Sequence, residues 1–105
     1  FQHYVANLST YSFLKIIKPR KEIKSNYWIN TCILTENKKH LKNKIIGNLN
    51  KKNFGAKSAW MPLHKLKIYS KSERMSLKKT NIIFDRIITL PSGTNLKIDK
   101  NSKFI

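Results

Sequence analysis

Residues 26–34 read NYWINTCIL, and this stretch decides the fold because it contains the clearest strand in the chain. It is rich in aromatic and β-branched side chains, which favour strands. Its two alternating faces are both largely apolar: Tyr27, Ile29 and Ile33 on one, Trp28, Cys32 and Leu34 on the other. Strands that are apolar on both faces are typical of the interior of a covered sheet. We therefore expect a central strand that is buried on both sides.

Residues 37–54 predict an amphipathic helix directly after this strand. Thr35 is an N-cap candidate, and Glu36 places a carboxylate in the first turn. One apolar face repeats at helical spacing and consists of Leu41, Ile45 and Leu49. Gly55 follows at a position where helices often end in a left-handed residue.

Weaker patterns predict the other elements. They are, in chain order, the end of a helix over residues 1–14, a strand over 56–60, a helix that begins after Ser76, a strand over 86–93 that ends in a Pro-Ser-Gly turn, and an edge strand or frayed tail over 94–105. Helices and strands that alternate in this way predict one small α/β domain with two layers, an α+β arrangement.

The start of the chain suggests a piece of a longer protein. The chain has 105 residues, enough for one small domain. It begins with Phe1, and Tyr4, Val5 and Leu8 follow at helical spacing, so we expect its start to lie inside a helix. The lone Cys32 cannot form an internal disulfide. No secretory signal or membrane-spanning run is visible, which predicts a cytoplasmic protein without membrane contact.

The charge leaves two interpretations open. The net charge is +17, and 19 of the 22 basic residues are lysine. Base readout and bidentate phosphate contacts favour arginine, and these lysines are spread along the whole chain. A solvated surface therefore accounts for the charge better than a nucleic-acid interface does. A small lysine-rich nucleic-acid-binding domain remains the alternative, and an assembly domain without a site of its own is a third.

No complete catalytic or metal site is visible. The histidines are far apart, the acidic residues are scattered, and no glycine-rich phosphate loop or nucleophile motif occurs. Residues 59–66, AWMPLHKL, are the exception in composition. Pro62 stiffens the backbone before His64, and Trp60 and Met61 provide apolar surface beside it. A lone histidine is more often structural, but this setting is typical of a pocket that places one polar group against an apolar wall.

Three stretches, taken together, resemble the C-terminal part of the DegT family of sugar aminotransferases, which depend on pyridoxal 5'-phosphate (PLP). SNYWINTCIL is similar to an aromatic-rich strand of that family. NKKHLKNKIIGNLNKKNFGAKSAWMPLHKL resembles the following helix, glycine stop and Trp-x-x-x-His element, and SERMSLKKTNIIFDRIITLPSG resembles the closing helix and Leu-Pro-Ser turn. The three occur in the family's order and cover about two thirds of the chain.

This resemblance implies an aspartate-aminotransferase-like fold in which residues 1–105 are the small C-terminal domain and the large PLP-binding domain is absent. Such enzymes transfer an amino group, usually from glutamate, to a keto-deoxysugar nucleotide for cell-surface polysaccharide or glycan biosynthesis. They are homodimers with active sites at the subunit interface. The lysine that binds PLP lies in the large domain, so this fragment alone is expected neither to hold PLP nor to turn over.

The resemblance also implies which residues contact the substrate. His64 matches the family histidine near the sugar, and Trp60 matches an aromatic residue that shapes the pocket wall. Lys57 lies where relatives often carry arginine, so it keeps the charge but loses the planar fork that bidentate contacts need. Arg74 and Arg86 also match family positions, and we expect structural roles for both. No catalytic, cofactor-binding or metal-binding residue is predicted.

Overall fold

A computed structural model describes residues 1–93 and Leu96. Three α-helices and four strands occur there: α1 Gln2–Leu8, β1 Leu14–Ile16, β2 Asn30–Leu34, α2 Lys42–Lys51, β3 Lys57–Ser58, α3 Lys78–Phe84 and β4 Ile87–Leu90. Short 3₁₀ helices span Glu36–Leu41, Leu63–Lys65 and Lys67–Tyr69. This mixture of helix and sheet confirms the predicted α/β class. No helix of the described residues is long and apolar enough to cross a membrane.

The four strands form one antiparallel sheet in the order β1-β2-β4-β3. β2 lies in the interior of the sheet, as predicted, with Cys32 opposite Ile16 of β1 and Ile88 of β4. Residues directly opposite each other in an antiparallel sheet share a face. The register therefore gathers the apolar residues of three strands on one side.

The core forms where α1 and α2 cover this side of the sheet. Its buried residues are Tyr4, Leu8, Leu14, Ile16, Cys32, Leu34, Ile45, Leu49, Ala56, Ile88 and Leu90. Burying such side chains is the dominant favourable term in folding. One helical layer on one sheet is the predicted two-layer arrangement.

The prediction that residues 26–34 form a strand covered on both sides is wrong at its N-terminal half. The strand begins at Asn30, Trp28 is 71% exposed, and Tyr27 has a left-handed φ of 53°. Local turn chemistry explains the difference, because Ser25 Oγ and Asn26 Oδ1 accept the backbone N–H groups of Tyr27 and Trp28. In β2 itself, one face is buried and the other is only half-buried.

The N-terminal helix is shorter than the predicted 1–14 and is followed by a strand that was not predicted. The hydroxyls of Ser9 and Thr10 donate to the carbonyls of Ala6 and Asn7 just after α1, which ends at Leu8. Side-chain bonds of this kind compete with helix continuation. The chain then turns into β1, whose three residues are too few to show an alternating pattern.

The predicted helix 37–54 is confirmed in its middle and corrected at both ends. The Thr35 hydroxyl donates to the Asn37 side chain instead of capping the backbone, and a 3₁₀ helix precedes α2. At the C-terminus Asn53, not Gly55, is the first left-handed residue, with φ of 60°. The N–H groups of Phe54 and Asn53 bond back to the carbonyls of Leu49 and Asn50. This bonding is a Schellman motif, which ends α2 at Lys51.

The second half of the chain follows the predicted order with shorter elements. β3 lies within residues 56–60 and β4 within 86–93, as predicted. α3 begins after Leu77, and Ser76 does not cap it. The prediction for the tail 94–105 concerns residues that lie, apart from Leu96, outside the described part of the chain.

Candidate functional site

His64 lies in the 3₁₀ helix Leu63–Lys65, on the long connection between β3 and α3. Pro62 precedes this turn with φ of −56°, the value its ring imposes. The Pro62 carbonyl accepts the backbone N–H of Lys65 at 2.9 Å, which closes the turn. The backbone that carries His64 is therefore defined by local chemistry rather than by burial.

The imidazole of His64 contacts α3. Its Nε2 atom lies 2.9 Å from Oδ1 of Asn81, and both side chains are partly buried. Asn81 sits inside the helix, where its backbone N–H bonds to the Leu77 carbonyl at 3.0 Å. A residue 17 positions further along the chain thus orients the histidine ring.

Arg74 ties down the same connection. Its Nη1 donates to the His64 carbonyl at 3.4 Å, and its Nη2 donates to the Ser70 carbonyl at 3.3 Å. Two donors on one rigid guanidinium hold two points of the backbone at a fixed separation. These contacts hold the backbone, and the structural role expected for Arg74 stays a prediction.

An open cleft of about 460 Å³ lies beside His64. Pro62, Leu63 and Leu77 contribute apolar walls, and His64, Glu73 and Arg74 contribute polar groups. An apolar cavity of this volume with a few placed polar groups has the character of a small-molecule site. One imidazole, one carboxylate and one guanidinium can bind and orient a polar ligand by hydrogen bonds.

The structure does not bring the other two predicted substrate residues to this cleft. Trp60 is 77% exposed and does not line it. Lys57 is exposed on the edge strand β3, opposite Thr89, and also lies outside it. The substrate roles of Trp60 and Lys57 therefore stay predictions, and only His64 is placed at the cleft.

Asn81 is the contact residue that the sequence did not reveal. The one available signal was an asparagine inside a predicted helix, where this residue has low intrinsic propensity. Such a residue often has a local or tertiary hydrogen-bonding role. Its partner could not be identified, because the two residues come together only through the packing of α3 against the connection.

One buried lysine of the described residues bears on whether they could hold PLP. Lys42 is the buried lysine among them, with 8% exposure, and its Nζ donates to the Phe84 carbonyl at 2.6 Å and lies over the Phe84 ring. Burial lowers the pKa of Lys42; Asp85 opposes this shift and Lys65 adds to it. A Schiff base at this nitrogen would have to give up its contacts with the Phe84 carbonyl and ring. The described part of the chain also holds no cluster of three or more histidine, cysteine or acidic residues suited to a metal.

Comparisons with known proteins agree on a family. A model of the DegT/DnrJ/EryC1/StrS aminotransferase family matches residues 1–105. The chain is similar in structure to PseC from Helicobacter pylori, an aminotransferase of pseudoaminic acid biosynthesis, with a TM-score of 0.76, 17% identity and coverage of 92% of this chain. It is also similar to the aminotransferase TlmJ from Streptoalloteichus hindustanus, with a TM-score of 0.76, 18% identity and 98% coverage.

The coverage is unequal in the two directions. The chain spans 26% of the length of each of these two solved structures. At this identity the likeness establishes the fold of the chain. No curated protein sequence matches the chain.

Proposed function

This chain belongs to the DegT/DnrJ/EryC1/StrS aminotransferase family, and on that premise we propose that it is the small C-terminal domain of a PLP-dependent sugar aminotransferase. The enzyme transfers an amino group, from glutamate, to the keto group of a nucleotide-linked deoxysugar. Its product enters cell-surface polysaccharide or glycan biosynthesis in the cytoplasm. Two findings support this proposal. The family model matches the whole chain, and the chain covers about a quarter of the length of each of two aminotransferase structures.

The observation that carries the proposal is the oriented imidazole of His64 at the cleft. A sugar offers hydroxyl groups that both donate and accept hydrogen bonds, and its ring carbons suit apolar walls. His64 binds one of these groups, while Leu63 and Leu77 exclude water from the ring face. The residues described here thus bind and orient the sugar, and they do not perform the group transfer.

PLP, when bound, supplies the electron sink that amino-group transfer requires. We infer from the family resemblance that its lysine and the acid that pairs with its ring nitrogen belong to a larger domain of the full-length protein. We therefore expect the fragment alone to be inactive. Its task in the enzyme is to complete the sugar end of the site.

Exposed apolar side chains on the connection support a site that is completed by further protein. Trp60, Ile68 and Met75 are all more than three quarters exposed. Apolar surface left open in one domain commonly marks an interface. In the proposed homodimer this surface faces the large domain or the second subunit, which brings Trp60 and Lys57 to the substrate.

The test is replacement of His64 with alanine in the full-length enzyme. Loss of one hydrogen bond to the sugar should raise KM for the sugar nucleotide about fivefold, the size of a net contribution near ~1 kcal/mol. The absorbance of bound PLP should be unchanged. His3→Ala is the matched control, because it removes an exposed imidazole from α1. Kinetics that match the wild type would contradict the role of His64.

A further inference from the structure

Two hydrogen-bonded contacts fix the position of His64, one on its ring and one on its backbone. Asn81 contacts Nε2 from inside α3, and Arg74 donates to the His64 carbonyl. Two backbone hydrogen bonds hold Asn81 within α3. The Asn81 N–H donates to the Leu77 carbonyl, and the Asn81 carbonyl accepts the N–H of Asp85. The ring therefore meets a partner that belongs to a regular helix rather than to a mobile loop.

A neutral imidazole carries one N–H and one bare nitrogen, and the hydrogen bond at one nitrogen decides which is which. The atom of Asn81 that faces Nε2 is the carbonyl oxygen Oδ1, which can only accept. With Oδ1 accepting, a neutral ring carries its hydrogen on Nε2, and Nδ1 is left as an acceptor. In the described part of the chain, no hydrogen bond of the structure occupies Nδ1.

We propose that Asn81 is a positioning residue that sets the tautomer of His64 and so presents Nδ1 to the cleft as a hydrogen-bond acceptor. The ligand group that this nitrogen selects is a donor, a sugar hydroxyl or an amine, rather than a carbonyl or phosphate oxygen. The inference deepens the proposed function and rests on it, since it assumes that His64 binds the sugar. It assigns to α3 a part in substrate recognition although Asn81 does not itself line the cleft.

Two substitutions of Asn81 in the full-length PLP-loaded enzyme distinguish the effect of its hydrogen-bond acceptor from the effect of its shape. Asn81→Asp keeps an oxygen acceptor of the same size, and Asn81→Leu keeps the branched shape, with a larger volume, without any acceptor. With a panel of nucleotide-linked keto-deoxysugars, Asn81→Leu should raise KM about fivefold with little change in kcat. At alkaline pH, where the ring stays neutral even beside a carboxylate, Asn81→Asp should stay within about twofold of the wild type, because it still accepts the hydrogen of Nε2. Equal impairment by both substitutions would overturn the proposal.

A double-mutant cycle with His64→Ala shows whether Asn81 acts through the histidine. Asn81→Leu should have no further effect on KM once His64 is alanine, because the group it orients is gone. An independent, additive loss would mean a merely structural role and would overturn the proposal. If His64→Ala itself leaves KM unchanged, the proposed function of His64 fails. If His64→Ala raises KM and Asn81→Leu does not, the positioning role alone fails.

A measurement on the unsubstituted protein covers the case in which the Asn81 variants do not fold. Nitrogen NMR of the full-length enzyme with ¹⁵N-labelled histidine distinguishes the two neutral tautomers by their two-bond couplings. His64 is assigned by the signal that is lost in His64→Ala. The proposal predicts the tautomer with hydrogen on Nε2, and the tautomer with hydrogen on Nδ1 would overturn it.

Discussion

The sheet core and the connection that carries His64 are stabilised in different ways. In the core, apolar residues from two helices and three strands exclude water from one face of the sheet. On the connection, residues 59–77, the large apolar residues Trp60, Ile68 and Met75 are exposed, and a proline turn, an arginine and an asparagine define the shape. The core gives the chain its stability, and the connection holds a site by polar contacts. Binding and catalytic residues commonly lie on loops that a rigid scaffold positions.

The largest effect is expected from replacing a buried isoleucine of the core with alanine, compared with the same replacement of an exposed isoleucine on the connection. Ile88 is completely buried in β4, whereas Ile68 is 82% exposed on the connection. Ile88→Ala should lower the free energy of unfolding of the 105-residue chain by about 2–5 kcal/mol, because it leaves a cavity in a packed core. Ile68→Ala should change it by less than about 0.5 kcal/mol. Urea unfolding measures both, and similar losses would show that the connection is as tightly packed as the core.

Alkaline pH should weaken the core through two buried acids. Burial raises the pKa of Cys32 from 9.0 to about 12. Burial, with a smaller contribution from Cys32, raises the pKa of Tyr4 from 10.0 to about 12. The unfolded chain releases these protons at lower pH than the folded chain does. The stabilisation is therefore complete below about pH 9 and is lost as the pH rises to about 12.

The pH dependence of unfolding in Cys32→Ala isolates the contribution of the Cys32 thiol. The variant should lose less stability than the wild type between pH 9 and pH 11, whatever its stability at neutral pH. Identical slopes in the two proteins would mean that the thiol is not held protonated by the core.

A smaller effect compares a buried phenol with an exposed one. The Tyr4 hydroxyl donates to the Pro91 carbonyl at 2.7 Å and so ties α1 to the end of β4. Tyr4→Phe should lower the free energy of unfolding by about 1 kcal/mol. Tyr69→Phe, on the connection, should leave it nearly unchanged because Tyr69 is 42% exposed. Thermal unfolding measures the stability of both variants. A larger loss of stability for Tyr69→Phe than for Tyr4→Phe would contradict the prediction.

The sequence predicted the core better than the connection, for physical reasons. Ile45 and Leu49 repeat at helical spacing, and Cys32 and Leu34 alternate in a strand, so periodicity alone placed them. β1 was missed because a strand of three residues has too little period to detect. Trp28 was placed in a strand because its aromatic side chain favours one, yet the side chain of Asn26 turned its backbone out of the ladder.

The candidate site was predictable in one residue and not in its surroundings. His64 was visible because a proline, a tryptophan and a histidine are rare neighbours in this lysine-rich chain. Its contact with Asn81 depends on how α3 packs, and no local pattern encodes that packing. The predicted grouping of Trp60 and Lys57 with His64 is not formed by this chain alone.

The most direct test of the account is a crystal structure of the full-length enzyme with PLP and a nucleotide-linked keto-deoxysugar bound. The account predicts a sugar hydroxyl about 3 Å from Nδ1 of His64, with Nε2 still bonded to Asn81. A sugar bound elsewhere, with His64 open to solvent, would contradict the central claim that this cleft forms the sugar end of the active site.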